Sequence, residues 1–302
     1  MSELLVVGSV ALDTVRTPFG KADEVLGGSA TFFSYAASFF TRVRLVAVVG
    51  ADFPRAHLDR LTARGVDLAG LHVAAGPTFR WVGEYGYDLN EAKTLDTRLG
   101  VFAEFRPELP ADFRRTPFLF LANIDPELQL EVLRQLERPR LVALDTMNFW
   151  IQSKREALRH VLAEVDALVV NDAEARMLTE EPNLVKAARR VLGYGPRIVV
   201  VKRGEYGALM VVEGRFFFVP AFPLDAVYDP TGAGDTFAGG FMGALARAGR
   251  LDEPALRRAI VYGSVMASFT VEDFSLNRLL RLRDGEIEDR VRTFTEMMRL
   301  EH

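Results

Sequence analysis

No cysteine occurs in the 302 residues, which excludes disulfides, thiolate metal centres and cysteine nucleophiles. Histidine is scarce. His57, His72, His160 and His302 stand apart, with no HExxH and no close pair, so nothing supports a histidine metal site. A surplus of positive charge is also missing: Lys and Arg number 37 against 41 Asp and Glu, a net charge of -4. Such a balance gives no general attraction to nucleic acid or to an anionic membrane. Long apolar runs are absent too. The stretch Val25 to Thr41 carries no charge, but it is short for a bilayer span and contains Gly27, Gly28, Ser29, Thr31, Ser34 and Ser38. It reads as a helix buried on several sides. The opening residues Met1 to Gly8 lack a basic segment and read as a first strand rather than an export signal, so a cytoplasmic protein is expected.

What the chain does contain is alternation. Leu4–Val7, Val43–Val49, Phe118–Ala122, Leu141–Leu144, Ala167–Val170 and Ile198–Lys202 are short, apolar, largely β-branched runs. Between them lie helix-like segments such as Phe53–Arg64, Glu127–Glu137, Ser153–Ala163 and Ala173–Thr179. Continuous apolar strands joined by helical crossovers imply an α/β fold, a doubly wound and mostly parallel sheet with helices on both faces. The length allows one large domain or two small ones.

One region departs from that rhythm. From Thr78 to Phe105 aromatic and β-branched residues alternate with polar ones, and Asp88-Leu89-Asn90-Glu91 offers a turn. With the stretches Asp13–Phe19 and Glu24–Leu26 it predicts a small antiparallel lid, about 13–26 and 78–105, over the main sheet. Its aromatic face suits covering a substrate or pairing with a second copy; packing alone is the plainer alternative.

The most specific stretch is Asp229-Pro230-Thr231-Gly232-Ala233-Gly234-Asp235, continuing to Gly240. Asp229 or Thr231 as cap, Pro230 near the first turn and Asp235 within it make an ordinary helix start. The glycines need more, since each costs about 1 kcal/mol against alanine within a helix. Gly-Ala-Gly leaves N–H groups uncovered at a positive helix end, which is an anion site, and a carboxylate beside it can accept a proton from an attacking hydroxyl. Gly239, Gly240, Gly243 and Ala244 at helical spacing predict close packing on the sheet. No GxxxxGK[ST] loop occurs, and Phe237 stands where a dinucleotide fingerprint needs its third glycine.

Asp229 to Asp235 resembles the C-terminal signature of the ribokinase (PfkB) family of carbohydrate and nucleoside kinases. Further motifs of that family follow in its order. Gly8-Ser9-Val10-Ala11-Leu12-Asp13 is similar to the Gly-x-x-x-x-Asp of the substrate site, and Gly27-Gly28-Ser29-Ala30 to the Gly-Gly turn. Val49-Gly50-Ala51-Asp52 resembles Val-Gly-x-Asp, Asn171-Asp172-Ala173-Glu174 the Asn-x-x-Glu, and Val201-Lys202-Arg203-Gly204 with Gly207 the late strand-turn.

The resemblance implies a single ribokinase-like domain over 1–302 carrying the interrupted lid. It implies an ATP-dependent, Mg²⁺-requiring phosphotransferase acting on a hydroxymethyl group of a small sugar or sugar derivative. A nucleoside kinase is the alternative, and a non-catalytic nucleotide-binding regulator the more distant one. By the same resemblance Asp235 is the base, and the N–H groups of Gly232, Ala233 and Gly234 form the anion hole. Asp13 and Gly28 hold the acceptor, although each also fits a turn. Asn171 and Glu174 lie near the Mg²⁺-bound phosphates, Glu174 through water; a plain helix cap is the competing account. Lys202 and Gly204 border the nucleotide unless Lys202 is only a solvated strand end. Asp229 and Thr231 match positions that hold a monovalent cation such as K⁺ in some members. A homodimer through the lid is a further expectation. Phe32 and Phe33 are expected in the core, and Arg80 and Trp81 either touch substrate or form a strand pair.

Overall fold

The computed structural model describes residues 2–283 and 285–299. Its first strand, β1 (Leu4–Val7), shows how the core is organised. All four side chains are buried, but Leu4 and Val6 enter one hydrophobic layer and Leu5 and Val7 another. A strand whose period-two faces are both apolar can only sit in the middle of a sheet covered on both sides.

The remaining strands in chain order are β2 (Ala11–Thr17), β3 (Gly20–Gly27), β4 (Val43–Gly50), β5 (Asp67–Ala74), β6 (Arg80–Tyr85), β7 (Ala92–Arg98), β8 (Phe118–Leu121), β9 (Leu141–Leu144), β10 (Ala167–Asn171), β11 (Ile198–Lys202), β12 (Ala208–Val212) and β13 (Arg215–Val219). Nine of them form the main sheet in the order β13-β12-β11-β10-β9-β8-β1-β4-β5. From β5 to β11 the pairing is parallel, and β12 and β13 close one end as an antiparallel hairpin. The chain winds outward from β1 through β4 and β5, then returns to the other side of β1 at β8. The crevice beside β1, at the carboxyl ends of the strands, is where such a topology leaves room for a ligand.

Helices Ser29–Ala37, Ala233–Ala248 and Glu253–Thr270 cover one face; Pro126–Leu133, Arg155–Glu164, Asp172–Thr179 and Leu184–Leu192 cover the other. Every residue of Ser29–Ala37 is buried, which accounts for the uncharged Val25–Thr41 stretch. Among the described residues no helix is long and apolar enough to cross a membrane. Gly239, Gly240 and Gly243 of Ala233–Ala248 make their close approaches to the helical layer rather than to the sheet, contrary to expectation. A side chain at Gly239 or Gly243 would meet Phe33 or Ala37, and one at Gly240 would meet Tyr262 and Met266.

The small sheet has the order β3-β2-β6-β7. Its hairpins β2–β3 and β6–β7 are antiparallel and are joined by a parallel β2–β6 seam. The strands end at Arg98; Gly100–Glu104 is a short 3-10 helix, and Phe102 stacks between Phe79 and Phe105 at 5.3 and 5.7 Å. Part of the expected aromatic face therefore belongs to the core side, where Phe105 is buried.

Candidate active site

The carboxyl ends of β9, β10 and β11 carry Asp145, Asn171 and Lys202, and the Ala233–Ala248 helix aims its N-terminus at them. Gly232 caps that helix with φ +73°, a left-handed conformation that side chains resist. A Cβ there would also fall 2.3 Å from the Phe32 ring. Gly232 is thus fixed by backbone geometry and by packing on Phe32, not only by a need for bare N–H groups. Gly234 differs. Its backbone is helical, and the nearest neighbours of an added Cβ would belong to the Lys202 side chain, with the ammonium 2.8 Å away. Ala233 donates its N–H to the Pro230 carbonyl at 3.1 Å, whereas those of Gly232 and Gly234 have no acceptor among the described residues.

Asp235 stands in the first turn. Withdrawal from solvent, reinforced by the nearby Asp145 carboxylate, pushes its pKa up to about 7 against the opposing pull of Lys202. Glu174 is pushed up to about 7 as well, by burial first and then by Asp145. Lys202 bridges this carboxylate group. Its ammonium lies 3.2 Å from Asp145 Oδ2, with side-chain exposures of 17% and 7%. Burial alone would lower the lysine pKa, but Asp145, Glu174 and Asp235 together hold it above its ordinary value. Three carboxylates and one ammonium leave a surplus of negative charge.

Asn171 and Glu174 close a reciprocal capping box at the start of Asp172–Thr179. Asn171 Oδ1 accepts from the Glu174 N–H and Glu174 Oε2 from the Asn171 N–H, both at 2.7 Å. The plainer expectation, a helix cap, is realised, and the same cap points Glu174 into the field of Asp145 and Asp235.

Asp13, on β2, lies close enough to Asp235 and Asp229 to feel both charges. It is 6% exposed and accepts one long hydrogen bond, from the Gly28 N–H at 3.3 Å. Burial lifts its pKa to about 7, aided by Asp229 and Asp235. Any side chain at 27 would overlap the Asp13 carboxylate, and Gly28, at φ +93°, passes against the backbone of Ser9 and Ala11. The lid reaches the same place. Thr231 Oγ1 donates to the Tyr85 hydroxyl at 3.3 Å, and Asp229, Asp13 and Asp235 all press the Tyr85 pKa upward after burial. At the lid tip Asn90 abuts Gly204, where a Cβ would lie 2.2 Å from Asn90 Oδ1. Arg80 turns outward to Glu24 and Asp52, at 2.7 and 2.8 Å.

Asp229 is 1% exposed, and each of its oxygens accepts a backbone N–H, from Thr231 at 2.9 Å and Ser275 at 3.1 Å. These contacts make it the anchor of the loop before the helix. Asp145 and Tyr85 are the site residues to which the sequence reading assigned no role, although Asp145 opens the segment Asp145–Trp150 after a strand. Leu141–Leu144 followed by an acid at a strand's carboxyl end was the available signal for Asp145. A separate cleft of about 800 Å³ between β5 and residues 100–110 shares no residue with the site.

A carboxylate in the first turn of a glycine-lined helix start, facing a lysine and an acidic strand end, is an arrangement chemically suited to moving an anionic group onto a hydroxyl. Residues 1–280 match the pfkB family of carbohydrate kinases. The chain belongs to the PfkB family. A cytidine kinase of Thermococcus kodakarensis is 32% identical to this PfkB kinase over 84% of the chain and 92% of the relative. A nucleoside kinase of Methanothermobacter thermautotrophicus is 26% identical over 90% of each. Among solved structures, the nucleoside kinase of Methanocaldococcus jannaschii superposes with a TM-score of 0.77 at 20% identity, covering 97% of this chain and 99% of that one. The Burkholderia thailandensis nucleoside kinase in complex with inosine gives 0.74 at 19% identity, with coverages of 97% and 99%. The protein is therefore a sugar or nucleoside kinase with ATP as co-substrate, on a ribokinase-like fold.

Proposed function

We propose that this PfkB kinase phosphorylates the hydroxymethyl group of a nucleoside. The expected free sugar becomes the second choice. The observation that carries this reading is the 32% identity to a cytidine kinase over nearly the full length of both chains. The lid adds support. Trp81 pairs in register with Asp13 across the parallel seam, so both side chains leave the sheet on one face. The indole folds flat over Gly83, where a Cβ would overlap it at 1.9 Å, and its Nε1 donates to Thr94 at 3.1 Å. A pinned, flat aromatic surface beside a hydroxyl-accepting carboxylate suits a base joined to a ribose.

In this reading Asp13 accepts hydrogen bonds from the sugar hydroxyls and orients the acceptor. Asp235 removes the proton of the attacking hydroxyl, which requires its ionised form. Lys202 and the N–H groups of Gly232 and Gly234 receive the charge of the phosphoryl group, with Ala233 N–H available once it leaves Pro230. The surplus of carboxylates fits a nucleotide that arrives with Mg²⁺. Bound there, the ion would neutralise phosphate charge, with Glu174 as its water-mediated holder and Asn171 fixing Glu174.

The test is ADP formation from ATP and Mg²⁺ with cytidine, uridine, adenosine, inosine, ribose and fructose as acceptors. The expected result is a kcat/KM for at least one nucleoside at least tenfold above either free sugar. A free sugar as the best acceptor overturns the nucleoside reading, and tight ATP binding without turnover on any acceptor overturns catalysis.

A further inference from the structure

Lys202 occupies an awkward place. A cation close to a helix N-terminus is repelled by the helix dipole, yet this ammonium sits beside Gly234, in the first turn of Ala233–Ala248. Something has to hold it there. Asp145 is the side chain in contact, at 3.2 Å, and it is itself rigidly held. Its Oδ1 accepts the Thr146 N–H at 2.7 Å. Its carbonyl accepts from the fully buried Gln129 Nε2 at 3.2 Å, and the same Nε2 donates to the carbonyl of Ala122, just past the end of the neighbouring β8, at 3.0 Å. A buried ion pair is poor as a source of stability, because desolvation offsets most of the attraction and an apolar pair would pack as well. Its location at the open side of the glycine seat gives it a different use.

We propose that Asp145 is a positioning residue that parks the Lys202 ammonium at the mouth of the glycine seat, ready for the phosphoryl group in transfer. Asp145 does not touch substrate and acts through Lys202. One of the three ammonium hydrogens is directed to Asp145, which leaves the others for the incoming oxygens. The helix start and the lysine then present positive potential to one point, which neither could hold alone. The inference rests on phosphotransfer by this chain and is independent of which acceptor it takes.

The experiment combines Asp145→Asn, Lys202→Met and the double variant, assayed with Mg-ATP and cytidine. Asp145→Asn is expected to lower kcat at least tenfold while the KM for cytidine stays within twofold, and Asp145→Glu is expected to restore part of the loss. The double variant should be no slower than Lys202→Met, because one residue works through the other. Multiplying effects, or an Asp145→Asn kcat within twofold of wild type, overturn the proposal. A second readout needs no acceptor: the rise in melting temperature given by Mg-AMP-PNP beyond that given by Mg-ADP. That excess should be present in wild type and vanish in both single variants. Its persistence in Asp145→Asn, or its absence from wild type, also overturns the proposal. If wild type fails to use cytidine, the acceptor reading falls and the nucleotide comparison still decides. Asp145→Ser replaces Asp145→Asn if the latter does not fold.

Discussion

Gly234→Ala separates folding from catalysis. The backbone at 234 is helical, so alanine is favoured there by up to about 1 kcal/mol. The closest group to the new Cβ would be the Lys202 ammonium at 2.8 Å, which ends a flexible side chain and can move aside. Giving up part of the Asp145 contact offsets some of the gain. The net change in stability is within about 1 kcal/mol of zero, a shift in melting temperature of no more than roughly 2–4 °C. Activity has no such compensation. The methyl group fills the seat and displaces the lysine that faces it, and losing one preorganised donor of this kind lowers kcat by about 10² to 10³. Gly232→Ala, two residues earlier, should behave in the opposite manner. A left-handed alanine costs about 1–2 kcal/mol and overpacking against the buried Phe32 ring about 1–3 more, so the variant loses stability outright. Calorimetric melting and a coupled ADP assay on both variants give the comparison. A Gly234→Ala enzyme with kcat within threefold of wild type would refute the idea that this glycine is kept open for an anion. A fall of more than 5 °C in its melting temperature would refute the steric account.

As the proposed base, Asp235 has to be ionised, and its pKa, pushed up to about 7, places an acid limb in kcat/KM: activity should fall about tenfold per pH unit below that point. Because Asp145, Glu174 and Lys202 share the field, the limb belongs to the group as a whole; a flat profile from pH 5.5 to 8 excludes it. Asp235→Asn should cut kcat by about 10² to 10⁴ and leave Mg-ADP affinity close to wild type by calorimetric titration. Asp13 binds a proton in the folded chain up to about pH 7, whereas the unfolded chain releases it near 3.8. Its contribution therefore favours folding most below 3.8 and weakens as pH rises through 7, by up to a few kcal/mol. Asp13→Asn should accordingly melt higher than wild type at pH 8, converge with it near pH 4, and bind acceptor poorly; equal melting at pH 8 would contradict the buried-carboxylate account. Trp81→Ala should raise the KM for a nucleoside at least tenfold and change that for ribose little, while Trp81→Phe stays within a few-fold.

The parts of this site that were legible in the sequence are local ones. A capping pattern at Asn171 and Glu174, glycines at a helix start, and apolar runs that become β1 and β8 to β11 all act over a few residues. What stayed hidden depends on pairing across long sequence distances. Tyr85 reaches Thr231 across 146 residues, and Asp145 meets Lys202 across 57. Gly232 shows a subtler failure. Its cost in a helix pointed rightly to a constraint, but part of that constraint is the Phe32 ring, which no local pattern reveals. The glycines at 239, 240 and 243 were likewise recognised as contact points, and only the tertiary structure shows helices as their partners.

The seam between β2 and β6 has an evolutionary implication. The lid's two hairpins come from stretches separated by β4, β5 and their helices, and parallel pairing is what unites them. No single cut or insertion can remove or import this cover. A transplant from a relative would need two coordinated grafts whose seam residues still match, Leu12 with Arg80 and Asp13 with Trp81. If Asp13 holds the acceptor as proposed, that carboxylate and the aromatic surface beside it are tied to one register, and a change of substrate has to be negotiated by point substitutions across that seam rather than by exchanging the lid whole.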